Sequence, residues 1–255
     1  MIVIKYGGHA LPENGKVDQS LLVIANEFKK DKKFVLVHGG GPQINKELEL
    51  HNIKPEMIDG RRKTTPQVLS VVGKVLSGEV LRGIVNQLIS LGVNAVGISS
   101  GDGGTIRAIY SGDDLGEVGL VEKVDPTFIH MLIQNGYLPV ISPIGVSEKG
   151  NALNLNADSV AGALAGALKC EKALFMTDVS GIYKDWPKED SLIHEIKLAE
   201  LVILKEKVTE GMIPKIEALI TAVSTGAKSA YVFDGRDSAN LEQAINGDCG
   251  TKVIP

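Results

Sequence analysis

Lys5 closes a short apolar run, Ile2-Val3-Ile4-Lys5, that leads directly into Gly7-Gly8, and a second run, Phe34-Val35-Leu36-Val37, leads into Gly39-Gly40-Gly41. A strand that ends in glycines leaves its backbone N–H groups unshielded, and the start of a helix beyond it adds unpaired donors and a partial positive charge. With a fixed cation on one of the strands, the pair has the makings of a phosphate cradle. Neither run fits G-x-x-x-x-G-K-[ST] or G-x-G-x-x-G, so the two best-known nucleotide fingerprints are absent and another phosphate-handling architecture is implied.

Four further segments carry groups that could join such a site. Gly211-Met212-Ile213-Pro214-Lys215 precedes a helical pattern, and a cation in the first turn of a helix opposes the dipole, which makes Lys215 a candidate for function against the alternative of a solvated surface lysine. In Asn154-Leu155-Asn156-Ala157-Asp158 the two asparagines project to one side if the segment is extended, and Asp158 falls where a helix N-cap belongs; the plain alternative is a polar turn with a capping Asp. Gly60-Arg61-Arg62-Lys63 is either a solvated turn or an anion clamp in which a guanidinium grips a carboxylate with two parallel hydrogen bonds. Thr177-Asp178-Val179-Ser180-Gly181-Ile182-Tyr183 is a donor-rich strand-end loop. His38, just before the triple glycine, reads as a satisfied strand-end residue rather than a base.

Composition narrows the partners. The chain has 255 residues with Lys+Arg 27 against Asp+Glu 31, a net charge of -4, so no basic stripe suits nucleic acid and small anions must be captured locally. Cys170 and Cys249 stand far apart and outside any C-x-x-C pair, which argues against a metal site or a disulfide and for two idle thiols in a reducing compartment. The chain enters a strand at once and no uncharged apolar run approaches membrane-spanning length, so a soluble cytoplasmic protein is expected.

Strand and helix patterns alternate almost throughout. Val17 to Phe28 recur at helical spacing; Pro42 opens a helix running to about His51, and Thr65-Pro66 opens a long one running to about Leu91. That long helix carries more apolar residues than one core-facing stripe needs, so either its own fold buries it on both sides or one face forms a homodimer interface. Asn94–Ile98 is a strand, Thr105–Tyr110 and Val118–Val124 form a hairpin over the sheet edge, Asp125-Pro126 opens a helix, and Tyr137–Ile141 is a strand. The second half repeats the scheme with helix Asp158–Leu168, strand Ala173–Met176, helix Ile213–Thr225, strand Ala230–Phe233 and a short helix near Leu241. Such repetition predicts an α/β fold with a mostly parallel sheet covered on both faces and ligands at the carboxyl ends of its strands. A packed boundary near Lys169 divides it into two lobes, 1–168 and 169–255.

Taken in order, Ile4–Gly8, Val37–Pro42, Asp59-Gly60 with Arg62 and Thr64, Asn94–Gly97, Gly119-Leu120, Tyr137–Gly145, Asn154–Asp158, Thr177–Gly181 and Gly211–Lys215 resemble the amino acid kinase superfamily and, within it, the acetylglutamate kinases. The resemblance implies an open αβα sandwich, with an N-terminal lobe for an amino-acid substrate and a C-terminal lobe for ATP. It implies transfer of the γ-phosphoryl group to the side-chain carboxylate of N-acetyl-L-glutamate in arginine biosynthesis, with Mg2+ held mainly by the nucleotide phosphates. Lys5 and Lys215 match the lysines that stabilise the migrating phosphoryl group and Asp158 the aspartate that orients them. Gly8, Gly40, Gly41, Arg62, Asn154 and Asn156 match substrate-holding positions. Asp178, Val179, Ser180, Gly181, Ile182, Tyr183, Lys207, Val208, Thr209, Gly211 and Met212 resemble the nucleotide contacts. Arg61 and Lys63 replace the apolar neighbours usual beside the substrate arginine, a departure that would also suit a relative acting on carrier-protein-bound aminoadipate or glutamate; aspartokinase is a further alternative. The chain lacks the N-terminal helix of arginine-inhibited hexamers, so a homodimer insensitive to arginine is expected.

Overall fold

The computed structural model describes residues 1–7, 17–58, 60–207 and 212–255. Its first half runs β1 (Ile2–Tyr6), α1 (Gln19–Phe28), β2 (Phe34–His38), α2 (Gly41–Leu50), β3 (Met57–Ile58), β4 (Arg61–Arg62), α3 (Pro66–Gly73), a π-helical stretch (Lys74–Val80), α4 (Leu81–Ser90), β5 (Ala95–Ser99), β6 (Ile106–Tyr110), β7 (Gly119–Val124), α5 (Thr127–Gln134) and β8 (Leu138–Ser142). The rest runs β9 (Ile144–Val146), β10 (Ala152–Asn154), α6 (Ala157–Ala167), β11 (Lys172–Thr177), β12 (Ile182–Tyr183), β13 (Leu192–Ile193), β14 (Glu195–Lys197), α7 (Leu198–Leu204), α8 (Ile213–Ser224), β15 (Ala230–Asp234), α9 (Ser238–Asn246) and β16 (Thr251–Ile254).

Eight strands form one sheet in the order β14-β16-β15-β11-β1-β2-β8-β5, parallel at every junction except β15 with β16. Strand β2 is buried at all five positions, as a central parallel strand covered on both faces must be. Alternate residues feed two cores. Val3, Val35, Ile141 and Phe175 meet α5, α6 and α8 on one face, while Ile4, Leu36, Val140 and Leu174 meet α1, α2, α3, α4 and α9 on the other. The predicted αβα sandwich is therefore present. The predicted hairpin is present too, as β6 and β7, but β9 and β10 extend it into a four-stranded sheet of its own.

The long helix is observed with Thr65 as its N-cap, accepting from Val68 N, and with a π-helical middle. Val68, Val71, Val72, Val75, Leu76, Val80, Leu81, Ile84, Val85 and Leu88 are all buried by this same chain, whereas Leu69 is half-buried and Ile89 is exposed. Of the two readings of that helix, burial on its own fold accounts for the buried residues, and Gln67, Lys74, Glu79 and Arg82 face outward.

Helix α6 corrects one expectation. Its N-cap is Asn156, whose Oδ1 accepts from Ser159 N at 3.0 Å, and Asp158 lies in the first turn instead. An Asx cap two residues earlier leaves the Asp158 carboxylate free for another partner. Helix α6 packs against α8 through glycines: a Cβ on Gly162 would stand 2.5 Å from Ala218 O, and one on Gly166 would stand 1.7 Å from Thr225 Oγ1. Gly162→Ala should therefore force the two helices apart and lower stability by about 1–3 kcal/mol. Gly73→Ala, at an open helical site with nothing within 4 Å, should instead gain about 0.5–1 kcal/mol. Urea unfolding midpoints that move together for the two variants would refute the close contact.

Candidate functional site

Lys5 sits at the end of central strand β1, on the face that α6 and α8 cover, and both of those helices begin at this point. Strand β1 reads as an apolar run because it is paired on both edges, by β2 and β11. Its last residues emerge at the carboxyl end of the sheet, which is where an open parallel sheet leaves room for a ligand. Pro214 lies at the start of α8, where a missing N–H costs nothing, and sets Lys215 in the first turn.

The two lysines converge on one carboxylate. Lys5 Nζ stands 3.2 Å from Asp158 Oδ1 and Lys215 Nζ stands 3.5 Å from Oδ2, with Asp158 buried. Lys5 meets Oδ1 as an ion pair and Lys215 donates to Oδ2, so each carboxylate oxygen faces its own ammonium group. Burial alone would push the Asp158 carboxyl up, but the charges of Lys5 and then Lys215, with their hydrogen bonds, outweigh it and hold it below its ordinary value. The carboxylate orients both ammonium groups without binding either tightly. Chemically, the arrangement presents two cations and two helix N-termini to a single anion.

Two clefts meet at Lys5. One, of about 970 Å³, is lined by Lys5, Lys215, Thr177, Asp178, Arg236 and Ser238 among others. The other, of about 900 Å³, is lined by Gly40, Gly41, Arg62, Asn154, Asn156 and Asp158 among others. The acid-side residues are thus brought together as expected. Arg62 Nη2 donates to Asn45 Oδ1 at 2.6 Å, while Nη1 is buried without a partner among the described residues. A buried guanidinium N–H lacking an acceptor is costly unless a ligand supplies one, and burial also lowers the Arg62 pKa. Lys63 is turned away onto Glu56, 3.0 Å distant, whereas Arg61 lines the cleft.

The expected nucleotide residues are less gathered. Asp178 is exposed on the wall of the first cleft, accepting from Thr177 Oγ1 at 3.1 Å. Ile182 is a core residue only 2% exposed, its N–H donating to Thr251 Oγ1 at 2.8 Å, so its side chain is not offered to a ligand. Gly181 is pressed against Thr251, Tyr183 lies edge-on to the exposed Trp186 at 5.0 Å, and Val179, Ser180 and Met212 line neither cleft. Lys207 ends a single 3-10 turn. Gly8, Val208, Thr209 and Gly211 lie outside the described residues. His38 is fully buried with Nδ1–H donating to Gly39 O at 2.8 Å, and burial pushes its pKa down to about 4, so it is neutral. Its Nε2 has no partner among the described residues. Cys170 is buried with its thiol pushed up to about 12, consistent with an idle side chain.

Sequence reasoning missed the turn after β15. There Arg236 forms a fork on Asp234, with Nε 2.9 Å from Oδ1 and 3.1 Å from Oδ2, and Asp237 caps α9. Its strand-glycine-helix order, Phe233-Asp234-Gly235-Arg236 before Ser238, is the same signal that marked Gly7-Gly8, and applied consistently it would have found this wall of the cleft.

Residues 1–234 match the model of the amino acid kinase family. This chain belongs to the amino acid kinase family. An acetylglutamate kinase of Synechococcus sp. strain RCC307 is 41% identical over 258 residues, covering 99% of this chain and 87% of that protein. Among solved structures, smu.665 from Streptococcus mutans UA159 is similar with a TM-score of 0.82 at 29% identity, covering 99% of this chain and 98% of that one. Giardia carbamate kinase shares the fold with a TM-score of 0.75 at 20% identity, covering 99% and 98%.

Folding sets the charge balance of the Asp158 bridge. The folded Asp158 pKa lies below the unfolded one, so its contribution to stability is complete above the unfolded value, about 3.9, and is lost as pH falls through the folded value. Asp158→Asn leaves two partly buried ammonium groups facing each other and should cost about 3 kcal/mol at pH 7. In urea titrations across pH, that gap should stay constant from about pH 7 to 5 and narrow below about pH 4. A gap that widens with acid would contradict the assigned ionisation.

Proposed function

We propose that this chain transfers the γ-phosphoryl group of ATP to the side-chain carboxylate of N-acetyl-L-glutamate, giving an acyl phosphate for arginine biosynthesis. The observation that carries this reading is the pair of ammonium groups sharing Asp158 where the two clefts meet. The acid occupies the cleft of Arg62 and Asn154, with its α-carboxylate on the unpartnered Arg62 Nη1. ATP approaches from the side of Thr177, Asp178 and Lys215. In this reading residues 1–168 carry the acid site and 169–255 most of the nucleotide site.

A glutamyl carboxylate, with a reference pKa of about 4.3, is already ionised at neutral pH and needs no general base. One of its oxygens forms the new bond to the γ-phosphorus as the β–γ bridging bond breaks, and ADP leaves with that bond's electron pair. Lys5 and Lys215 hold the equatorial oxygens of the migrating group, Gly40 and Gly41 supply backbone donors while the Gly39 N–H is taken by Tyr6 O, and Asp158 keeps both ammonium groups aimed. Mg2+ would be held mainly by the nucleotide phosphates, with the exposed Asp178 on the wall of the first cleft as a carboxylate of this chain on offer, and would neutralise phosphate charge there. Among the described residues no helix is long and apolar enough to cross a membrane, and we place the protein in the cytoplasm. As its assembly we propose a homodimer: among the described residues β5 is an outer strand of the large sheet, an edge at which a second copy could pair.

In a coupled ADP-release assay with N-acetylglutamate, glutamate, aspartate, carbamate and carrier-bound aminoadipate as competing acceptors, N-acetylglutamate should be preferred. Lys215→Ala should lower kcat by roughly 10²–10³ with nucleotide binding largely retained. Arg62→Ala should raise the KM for the acid by roughly 10- to 100-fold and change kcat little. An unaltered kcat in the first variant, or a pure kcat effect in the second, would reject the corresponding role.

A further inference from the structure

Thr64 is fully buried and lines neither cleft, yet its hydroxyl joins two residues that do. Thr64 Oγ1 donates to Arg62 O at 2.7 Å and accepts from Asn154 Nδ2 at 3.0 Å. Its backbone is fastened on both sides, Thr64 N donating to Leu115 O at 2.9 Å and Glu117 N to Thr64 O at 2.7 Å. Glu117 O in turn accepts from Asn154 N at 2.9 Å. Gly116, at φ 67°, allows this approach, since a Cβ there would stand 2.5 Å from Thr64 O.

The direction of these bonds decides which end of Asn154 a ligand meets. A hydroxyl has one proton, and the bond to Arg62 O uses it, so toward Asn154 the oxygen can only accept. The Asn154 carboxamide must therefore turn its NH2 to Thr64, which leaves Oδ1 as the end without a partner among the described residues. An acceptor there, beside the Arg62 guanidinium that takes an α-carboxylate, suits a donor on the α-nitrogen.

We propose that Thr64 is a positioning residue that locks the Asn154 carboxamide with Oδ1 toward the ligand, so that the site accepts a hydrogen bond from an N–H on the α-nitrogen of the acid. This rests on the acid-cleft assignment given under the proposed function. Removing the hydroxyl frees the carboxamide to flip, and the acceptor is no longer held in place. The effect falls on recognition of the acid and leaves phosphoryl transfer and ATP untouched.

The test compares wild type, Thr64→Val, Thr64→Ala and Thr64→Ser with two acceptors, N-acetyl-L-glutamate and 2-acetoxyglutarate, in which an ester oxygen replaces the N–H. Each is measured by its KM or, where it is not turned over, by its inhibition constant, with kcat and the ATP KM alongside. Thr64→Val and Thr64→Ala should each weaken N-acetylglutamate roughly 3- to 10-fold. The ATP KM should stay within about twofold, Thr64→Ser should recover the wild-type value, and the ester should show little further loss in any variant. Equal losses for both acceptors, no loss for N-acetylglutamate, or failure of Thr64→Ser to recover would each overturn the proposal. Arg62→Ala and Asn154→Ala are run beside them: if neither affects the acid, the cleft assignment itself falls, whereas an effect there without the Thr64 pattern refutes Thr64 alone.

Discussion

Two ammonium groups held on one buried carboxylate are the interaction around which the rest is arranged. Lys5 and Lys215 are 210 positions apart in the chain, and like charges repel, so nothing local brings them together. Asp158 does so by lying between them, and it can because Asn156 takes over the capping of α6. The balance of burial against two cations keeps the carboxylate ionised. One negative charge against two positive ones leaves the pocket with an unbalanced cation, the condition for drawing in a phosphate.

That arrangement depends on how closely α6 and α8 can pack. Gly162 and Gly166 let the α8 backbone approach, and the approach fixes how far Lys215 stands from Asp158. The small residues of the Ala/Gly-rich helix therefore act on chemistry through distance, while the central strand holds Lys5 by hydrogen bonds on both edges. On the acid side the equivalent function belongs to the stitching of Thr64, Glu117 and Asn154, which ties three separate stretches of chain into one wall.

Much of this is legible in the sequence because buried parallel strands are apolar along most of their length, and β1, β2 and β15 run into glycine. Strands β1, β2, β8, β11 and β15 and the long helices are read within a residue or two for that reason. The two-residue strands β3, β4, β12 and β13 are not, since two residues have no periodicity. The choice between Asn156 and Asp158 as cap could not be read locally, because both side chains cap equally well and a lysine pair remote in sequence decides the matter. The surplus of apolar residues in the long helix was visible, but whether the chain itself covered them was a tertiary fact.

The double pairing of β1 has one more consequence. A residue mounted on a strand bonded along both edges cannot shift without tearing the middle of the ladder, so Lys5 is a stationary reference point for the whole molecule. Lys215 is carried instead by the first turn of α8, which is held by packing on α6 and by the Lys205–Glu217 ion pair and has no strand ladder along its sides. If the enzyme opens and shuts between turnovers, the travelling partner is α8, and each stroke reassembles the electrostatic bridge from one side only.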